Sequence, residues 1–353
     1  MPTLYVTEPG ARVEKEYGRF LVTKDDEVLL AVPAVRVQQV VLVGSVGVTT
    51  QALIALLNAG VGLTLISAAG KLLGRLLPGE ALHIPLRHAQ YQRAADPAFC
   101  LLVSRAYVRG KLCNCRTLAR RWARTNAQVD VRQIERITQC LRRLPMAGDL
   151  ATVRGLEGEA SKAYFAVLRQ VLRPGLGFDK RVRRPPTDPV NALLSLGYTF
   201  LTDNLMAACE IVGLDPYDGF FHADKYGRPA LALDLMEEFR ALVVDSVVLN
   251  VVNRGMLAAD DFHPGPEGGL YLKPAGLREF CRQYSARLNT EIVHPGVGRS
   301  LSYQKCFEVQ ARALRQVIEG RRTAYIPFIA ERRSRMNGAV AGGSHPGDGQ
   351  GAS

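Results

Sequence analysis

Short apolar runs punctuated by Gly, Pro and Asp dominate the first 78 residues: TLYV, GRFLVTK, EVLLAVPAV, VQQVVLVG and GVGLTLIS. Runs of this length, rich in Val and Leu and bounded by turn formers, predict β-strands. Ala68–Lys71 followed by LLGRLLP predicts a turn and a further strand. Between them, TTQALIALLN at 49–58 has a helical pattern, with Thr49 as N-cap and Gly60 as its stop. Strands this dense along the chain predict a small sandwich. From Ala98 onward the pattern changes to long helical repeats with no convincing strand. The expected fold class is therefore α+β, a small N-terminal β-sandwich domain followed by an all-helical C-terminal domain. The boundaries expected are 1–78 for the β domain, 79–97 for a linker, 98–334 for the helical domain and 335–353 for a Gly-rich disordered tail.

Two helical stretches carry acidic residues beside apolar stripes. In TVRGLEGEASKAYF, Thr152 is expected to cap a helix whose buried stripe is Leu156, Ala160, Ala163 and Val167. Glu157 lies beside that stripe among Gly158, Ala160 and Ser161, small neighbours that let something large approach a carboxylate. The second stretch, Gly213–Asp245, starts as a loop rich in glycine that holds His222, then passes through Arg-Pro into a helix. Asp234 and Glu237 are three residues apart there and point to nearly the same side. Asp245 returns to that face. The flanking residues are apolar enough to bury this helix nearly all round, and unpaired charge in such a setting is costly. A divalent metal accounts for the carboxylates, and so does an ion pair with Arg240 or another basic residue; the spacing alone leaves both open.

Charge narrows the partner class. The chain has 45 Lys plus Arg against 33 Asp plus Glu, a formal charge of +12, which favours anionic partners, nucleic acid first. Residues 105–143 are dense in arginine, Arg120 and Arg124 among them, either as a solvated helix face or as forks for phosphate oxygens. The proline-rich loop RPGLGFDKRVRRPPTDP adds Arg181, Arg183 and Arg184, placed to clamp a phosphate backbone or simply to connect two helices. Trp122 reads as core, and His83 and His88 as linker histidines without a ligand shell around them. Seven scattered cysteines with no C-x-x-C pair read as free thiols rather than as a zinc site. No apolar run reaches the ~20 residues of a membrane helix. The opening MPTLYVTEPG reads as a strand rather than a leader. A cytoplasmic protein without a membrane partner is expected.

Several ordered stretches, TLYVTEPGA, GLEGEASKAYF, RRPPTDPVNALLSLGY and GFFHADKYGRPALALDLMEEFR with VVD, resemble the CRISPR-associated adaptation integrase, the Cas-one family. The resemblance runs to about residue 330 and implies an N-terminal β domain that forms a homodimer and an all-helical catalytic domain. It also implies capture of double-stranded DNA fragments and their insertion at the leader end of a CRISPR array. The partner implied is a small ferredoxin-like second adaptation protein, in a heterohexamer. Carried over residue by residue, the family's metal ligands fall on Glu157, His222 and Asp234, and a further acidic site position on Glu237. Ser161 stands where the family commonly has alanine, and Ala241 where proline often follows the arginine. Oxygen ligands with one imidazole suit Mg²⁺ or Mn²⁺ better than zinc. The function so implied is a metal-dependent DNA endonuclease and integrase. A non-catalytic basic DNA-binding architectural protein would keep the charge without the ligands. A metal hydrolase of small anions would not need positive charge spread over several segments.

Overall fold

The computed structural model describes residues 3–79, 83–182, 185–222, 225–265 and 268–330. Arg183, Arg184 and the tail from 331 lie outside them. The first region holds strands β1 (Thr3–Val6), β2 (Arg12–Glu16), β3 (Arg19–Lys24), β4 (Glu27–Pro33), β5 (Gln39–Val43) and β6 (Gly47–Val48), then helix α1 (Thr50–Asn58) and strands β7 (Gly62–Ile66) and β8 (Leu72–Leu76). They form two four-stranded sheets, ordered β1-β5-β7-β8 and β4-β3-β2-β6. β5 and β7 pair in parallel, which requires a crossover, and α1 lies in it. Thr49 accepts a hydrogen bond from the Ala52 N–H at 3.2 Å, so the expected cap is the one observed.

Strand alternation explains how this region meets the helices. Val40 and Leu42 of β5 join Leu4, Val13, Phe20, Val22 and Leu63 in a core shared by both sheets. Val41 and Val43, on the other face, join Ile66 in the large helical core. The same seam carries a buried polar knot. Asp203 accepts from Gln39 at 2.7 Å and Thr64 at 2.9 Å, and pairs with Arg75 at 3.0 Å.

The helical region comprises α2 (Ile84–Ala94), α3 (Pro97–Ala123), α4 (Val131–Arg143), α5 (Leu150–Val171), α6 (Pro189–Val212), α7 (Ala230–Met236), α8 (Ser246–Asn253), α9 (Pro274–Leu288) and α10 (Tyr303–Ile318). It is not wholly helical. Strands β9 (Phe262–Pro264) and β10 (Leu270–Leu272) form one hairpin, and β11 (Glu291–Val293) and β12 (Ser300–Ser302) another. Each strand has three residues, too few for a period of two to show in sequence. The expected linker contains α2, whose buried Gln90 bonds the carbonyls of Asp215 and Asp218 at 2.8 and 2.7 Å. It thereby braces the loop that leads to His222. The cap of α5 is Asp149, not Thr152: its carboxylate accepts the Thr152 N–H at 2.7 Å. Among the described residues no helix is long and apolar enough to cross a membrane.

Candidate active site

The chain enters the site through a tight passage. A Cβ on Gly219 would lie 2.7 Å from the Ala230 carbonyl carbon and 2.9 Å from Asp234 Oδ2, so only glycine fits there. Directly after it, three consecutive N–H groups close on one carboxylate. Asp234 Oδ2 accepts from Phe220 and Phe221 at 2.7 and 2.9 Å, and Oδ1 accepts from His222 at 2.9 Å. Oδ1 also lies 2.7 Å from His222 Nδ1. Asp234 is fully buried and wholly used in shaping this loop and aiming the imidazole. A hydrogen bond of this kind fixes which ring nitrogen carries the proton and turns Nε2 away from Asp234. Arg154 of α5 holds the loop from the other side, with its Nη2 2.6 Å from the Phe221 carbonyl.

The other ring nitrogen meets the second acid. His222 Nε2 is 3.8 Å from Glu237 Oε1, so the i, i+3 pair Asp234 and Glu237 does reach the same side, one carboxylate at each edge of the ring. Glu237 is 2% exposed and caps α7, where the helix breaks before Arg240. Arg240 Nη1 is 3.0 Å from Glu237 Oε1 and Lys111 Nζ is 2.6 Å from Oε2. The same ammonium pairs with Oε1 of Glu157 on α5, which also accepts from Ser161 Oγ at 2.8 Å. Cβ atoms added at Gly155 or Gly158 would meet nothing within 4 Å, so the helix is open beside Glu157.

Electrostatics follow from this packing. Burial alone would raise Glu237, yet Lys111, Arg240 and His222 together hold its carboxyl well below the usual range. Burial opposes ionisation of Glu157 too, and Lys111 and Ser161 outweigh it. Burial would lower Lys111, but the two glutamates raise it. The cluster is thus ionised: two carboxylates, one ammonium and one guanidinium, with the imidazole at its edge.

The structure brings Glu157, His222, Asp234 and Glu237 together, with Asp234 behind the other three. Asp245 faces away, bonded to the Tyr198 hydroxyl at 2.5 Å, and Arg240 lies 4.3 Å over that tyrosine's ring. Arg181 is turned inward, bonding Asn191 at 2.9 Å and Ser195 at 3.0 Å. Arg120 and Arg124 are exposed, but Arg120 is nine residues past Lys111 and therefore about half a turn round α3 from it. Among the basic residues of α3, Lys111 is the one that sequence reasoning did not single out and that pairs with both glutamates of the cluster. Its position between buried Tyr107 and Cys115, at i−4 and i+4, placed a lysine inside an apolar stripe and was the available signal.

The donor set suits a hard divalent cation. Glu237 Oε2 is buried and accepts no directed hydrogen bond; only the charge of Lys111 answers it. Among the described residues no three His, Cys, Asp or Glu side chains close on a common point, and the Lys111 ammonium pairs with both glutamates. A cationic group already fits the gap.

The described chain shares its fold with the solved structure of a casposase bound to integration product, on which it superposes with a TM-score of 0.81 at 22% identity, covering 91% of this chain and 92% of that one. A family model for CRISPR associated protein Cas1 matches residues 4–286, and the chain belongs to that family. It is 36% identical over 327 residues to CRISPR-associated endonuclease Cas1 3 of Thermus thermophilus, covering 92% of this chain and 96% of that protein. It is 38% identical over 336 residues to a CRISPR-associated exonuclease Cas4/endonuclease Cas1 fusion of Geobacter sulfurreducens, and spans 60% of that longer protein.

Proposed function

We propose that this chain is a divalent-metal-dependent DNA endonuclease and integrase that inserts captured duplex fragments into a CRISPR array. The observation that carries this is a continuous run of contacts: one ammonium pairs with both Glu157 and Glu237, and His222 Nε2 lies 3.8 Å from the other oxygen of Glu237. Glu157, Glu237 and His222 would hold the ion. Asp234, taken as a ligand from the family pattern, has its oxygens committed to backbone N–H groups, and its part is to orient His222. When bound, Mg²⁺ or Mn²⁺ supplies Lewis-acid activation of a phosphodiester and of the attacking hydroxyl.

The chain's own residues divide the remaining work. Glu157 and Glu237 anchor opposite sides of the site from α5 and the α7 break, and Ser161 fixes the Glu157 rotamer. Arg240 keeps Glu237 ionised and in place. In integration a 3′-OH of the captured fragment attacks a repeat phosphodiester: one P–O bond forms, another breaks, and the departing 3′-oxygen takes up a proton. Water in place of the 3′-OH gives strand cleavage. The excess positive charge, +12 overall, neutralises bound phosphates, so binding weakens as salt rises.

The remaining assignments complete the reading. Residues 1–78 form the dimerisation domain, residues 98–334 the catalytic domain, and the partners are double-stranded DNA and a small ferredoxin-like second adaptation protein. The exposed Arg120 and Arg124 contact phosphate away from the catalytic cluster. The casposase likeness and the Cas1 family support this reading over an architectural protein, which would not need an ionised cluster beside an open helix face.

A strand-transfer assay tests it. A short duplex with free 3′ ends is mixed with a supercoiled plasmid bearing a leader and repeat, with Mn²⁺ or EDTA, with and without the partner. Metal-dependent joining by wild type, lost at least about 100-fold in Glu157→Gln, His222→Ala and Glu237→Gln, is expected. DNA binding without joining or cleavage under any condition would point to the architectural protein instead.

A further inference from the structure

Among the described residues, Lys111 is the basic side chain that forms ion pairs with both glutamates of the site. Its ammonium pairs with Glu157 Oε1 and lies 2.6 Å from Glu237 Oε2, with the side chain 8% exposed. Its backbone has little freedom to give way. A Cβ on neighbouring Gly110 would meet Pro327 at 2.8 Å and Glu238 at 3.1 Å. One turn on, Asn114 bonds the carbonyls of Glu238 and Phe328, both at 2.8 Å. A rigid helix therefore aims a fixed positive charge at the gap between two acids. Arg240 and His222, the other basic groups facing Glu237, approach only its Oε1.

We propose that Lys111 is the resident counter-ion of the metal-free site, a built-in cation with which the divalent metal competes for Glu157 and Glu237. This rests on the metal site proposed above. Without metal, Lys111 prevents the two carboxylates from repelling each other in a low-dielectric setting. Once metal arrives, the same ammonium is a like charge beside it and lowers its affinity. The lysine exchanges metal affinity for a site that stays folded and correctly spaced when empty, so the protein binds metal more weakly than its two glutamates and imidazole would alone.

The test is Mn²⁺ titration of the whole chain by calorimetry and by the electron paramagnetic resonance of free Mn²⁺, paired with thermal melting in EDTA and in saturating Mn²⁺. The variants are Lys111→Met, Lys111→Gln and Lys111→Arg, with Glu157→Gln as the site control. Both neutral variants should bind Mn²⁺ on the order of tenfold more tightly than wild type. Both should melt lower than wild type in EDTA and gain more on adding Mn²⁺. Lys111→Arg, which keeps the charge, should stay within about threefold of wild type. Should Lys111→Met not fold, the smaller polar Lys111→Gln carries the comparison. Equal or weaker Mn²⁺ binding by the neutral variants, with Glu157→Gln clearly impaired, overturns the role of Lys111 and leaves the metal site standing. Folded wild type that binds no Mn²⁺, or Glu157→Gln that binds as well as wild type, overturns the metal site and this inference with it.

Discussion

Asp234 shows how much one buried carboxylate does when none of it faces solvent. It takes three backbone N–H groups and one ring nitrogen, so it behaves as the hub of the 220–222 loop. Asp234→Asn replaces one acceptor oxygen with an NH₂ that faces donors. It is expected to cost about 2–4 kcal/mol of stability. The loss should already be present in EDTA, measured by urea unfolding, because it comes from the loop. A residue whose only task was to bind metal would show its loss only in saturating Mn²⁺. The sequence made the acids and His222 legible, through small neighbours, spacing and family pattern. It did not separate the orienting aspartate from the glutamate that joins Glu157, since that depends on which backbone amides curl toward which oxygen. Lys111 was hidden for a related reason: among many arginines in the run 105–143, one lysine on the inward stripe reads as more of the same charge.

At the scale of elements, the site depends on an interrupted helix. Periodicity predicts one continuous helix from Ala230, but α7 stops at Met236, a turn follows, and Ala241–Asp245 form a π-helical turn before α8. Such widened turns are common at functional sites, and here the break lets adjacent acids serve opposite sides. Glu237 faces Lys111 and His222. Glu238 turns to the C-terminal strap and accepts from the Tyr325 hydroxyl and the Phe328 N–H, both at 2.5 Å, and from Gln310 at 2.8 Å. Apolar patterning cannot show a break whose flanking residues are apolar on every side. Burial, outweighing those three donors, pushes Glu238 up to about 8. The folded state then holds this proton more tightly than the unfolded chain, whose carboxyl titrates at about 4.3. Its stabilising contribution is complete below about pH 4 and is lost progressively as pH rises to about 8. Glu238→Gln, which cannot ionise, should therefore flatten the fall in melting temperature between pH 5 and pH 8.5, measured beside wild type at equal salt. Identical pH slopes for the two proteins would mean that Glu238 stays ionised throughout.

For the whole molecule, the two regions are joined by β5, whose alternate residues enter separate cores, and by the Asp203 knot at the same seam. That seam was only partly legible: QVVLV reads as a strand buried on both faces, but a polar contact between Gln39 and Asp203 spans 164 residues of chain. The opposite side of the β region is unfinished in a way that a monomer does not explain. β4 is the outer strand of its sheet, and Val28, Leu29 and Leu30 are 58%, 48% and 46% exposed in succession. The register shifts here, with Leu30 opposite Val22, Val28 opposite Thr23 and Leu29 bulged between them, so apolar side chains stand bare beside the strand's free edge, a state that soluble proteins usually cover or charge. A groove of about 920 Å³ between this hairpin and α9, lined by Leu29, Leu30, Tyr5 and Arg278, continues the apolar surface. A homodimer through the N-terminal region, as the family resemblance implies, would cover it. Light scattering of wild type is then expected near twice 38.6 kDa. The double substitution Leu29→Glu with Leu30→Glu places two charges at that edge and is expected to shift the mass to that of one chain. It should leave helical content and the Mn²⁺ affinity of the distant site unchanged. A wild type that is monomeric at tens of micromolar, or a double variant that remains dimeric, would remove β4 from the interface. The exposed edge would then have to be covered by a different chain, and the second adaptation protein would be the first to titrate against it.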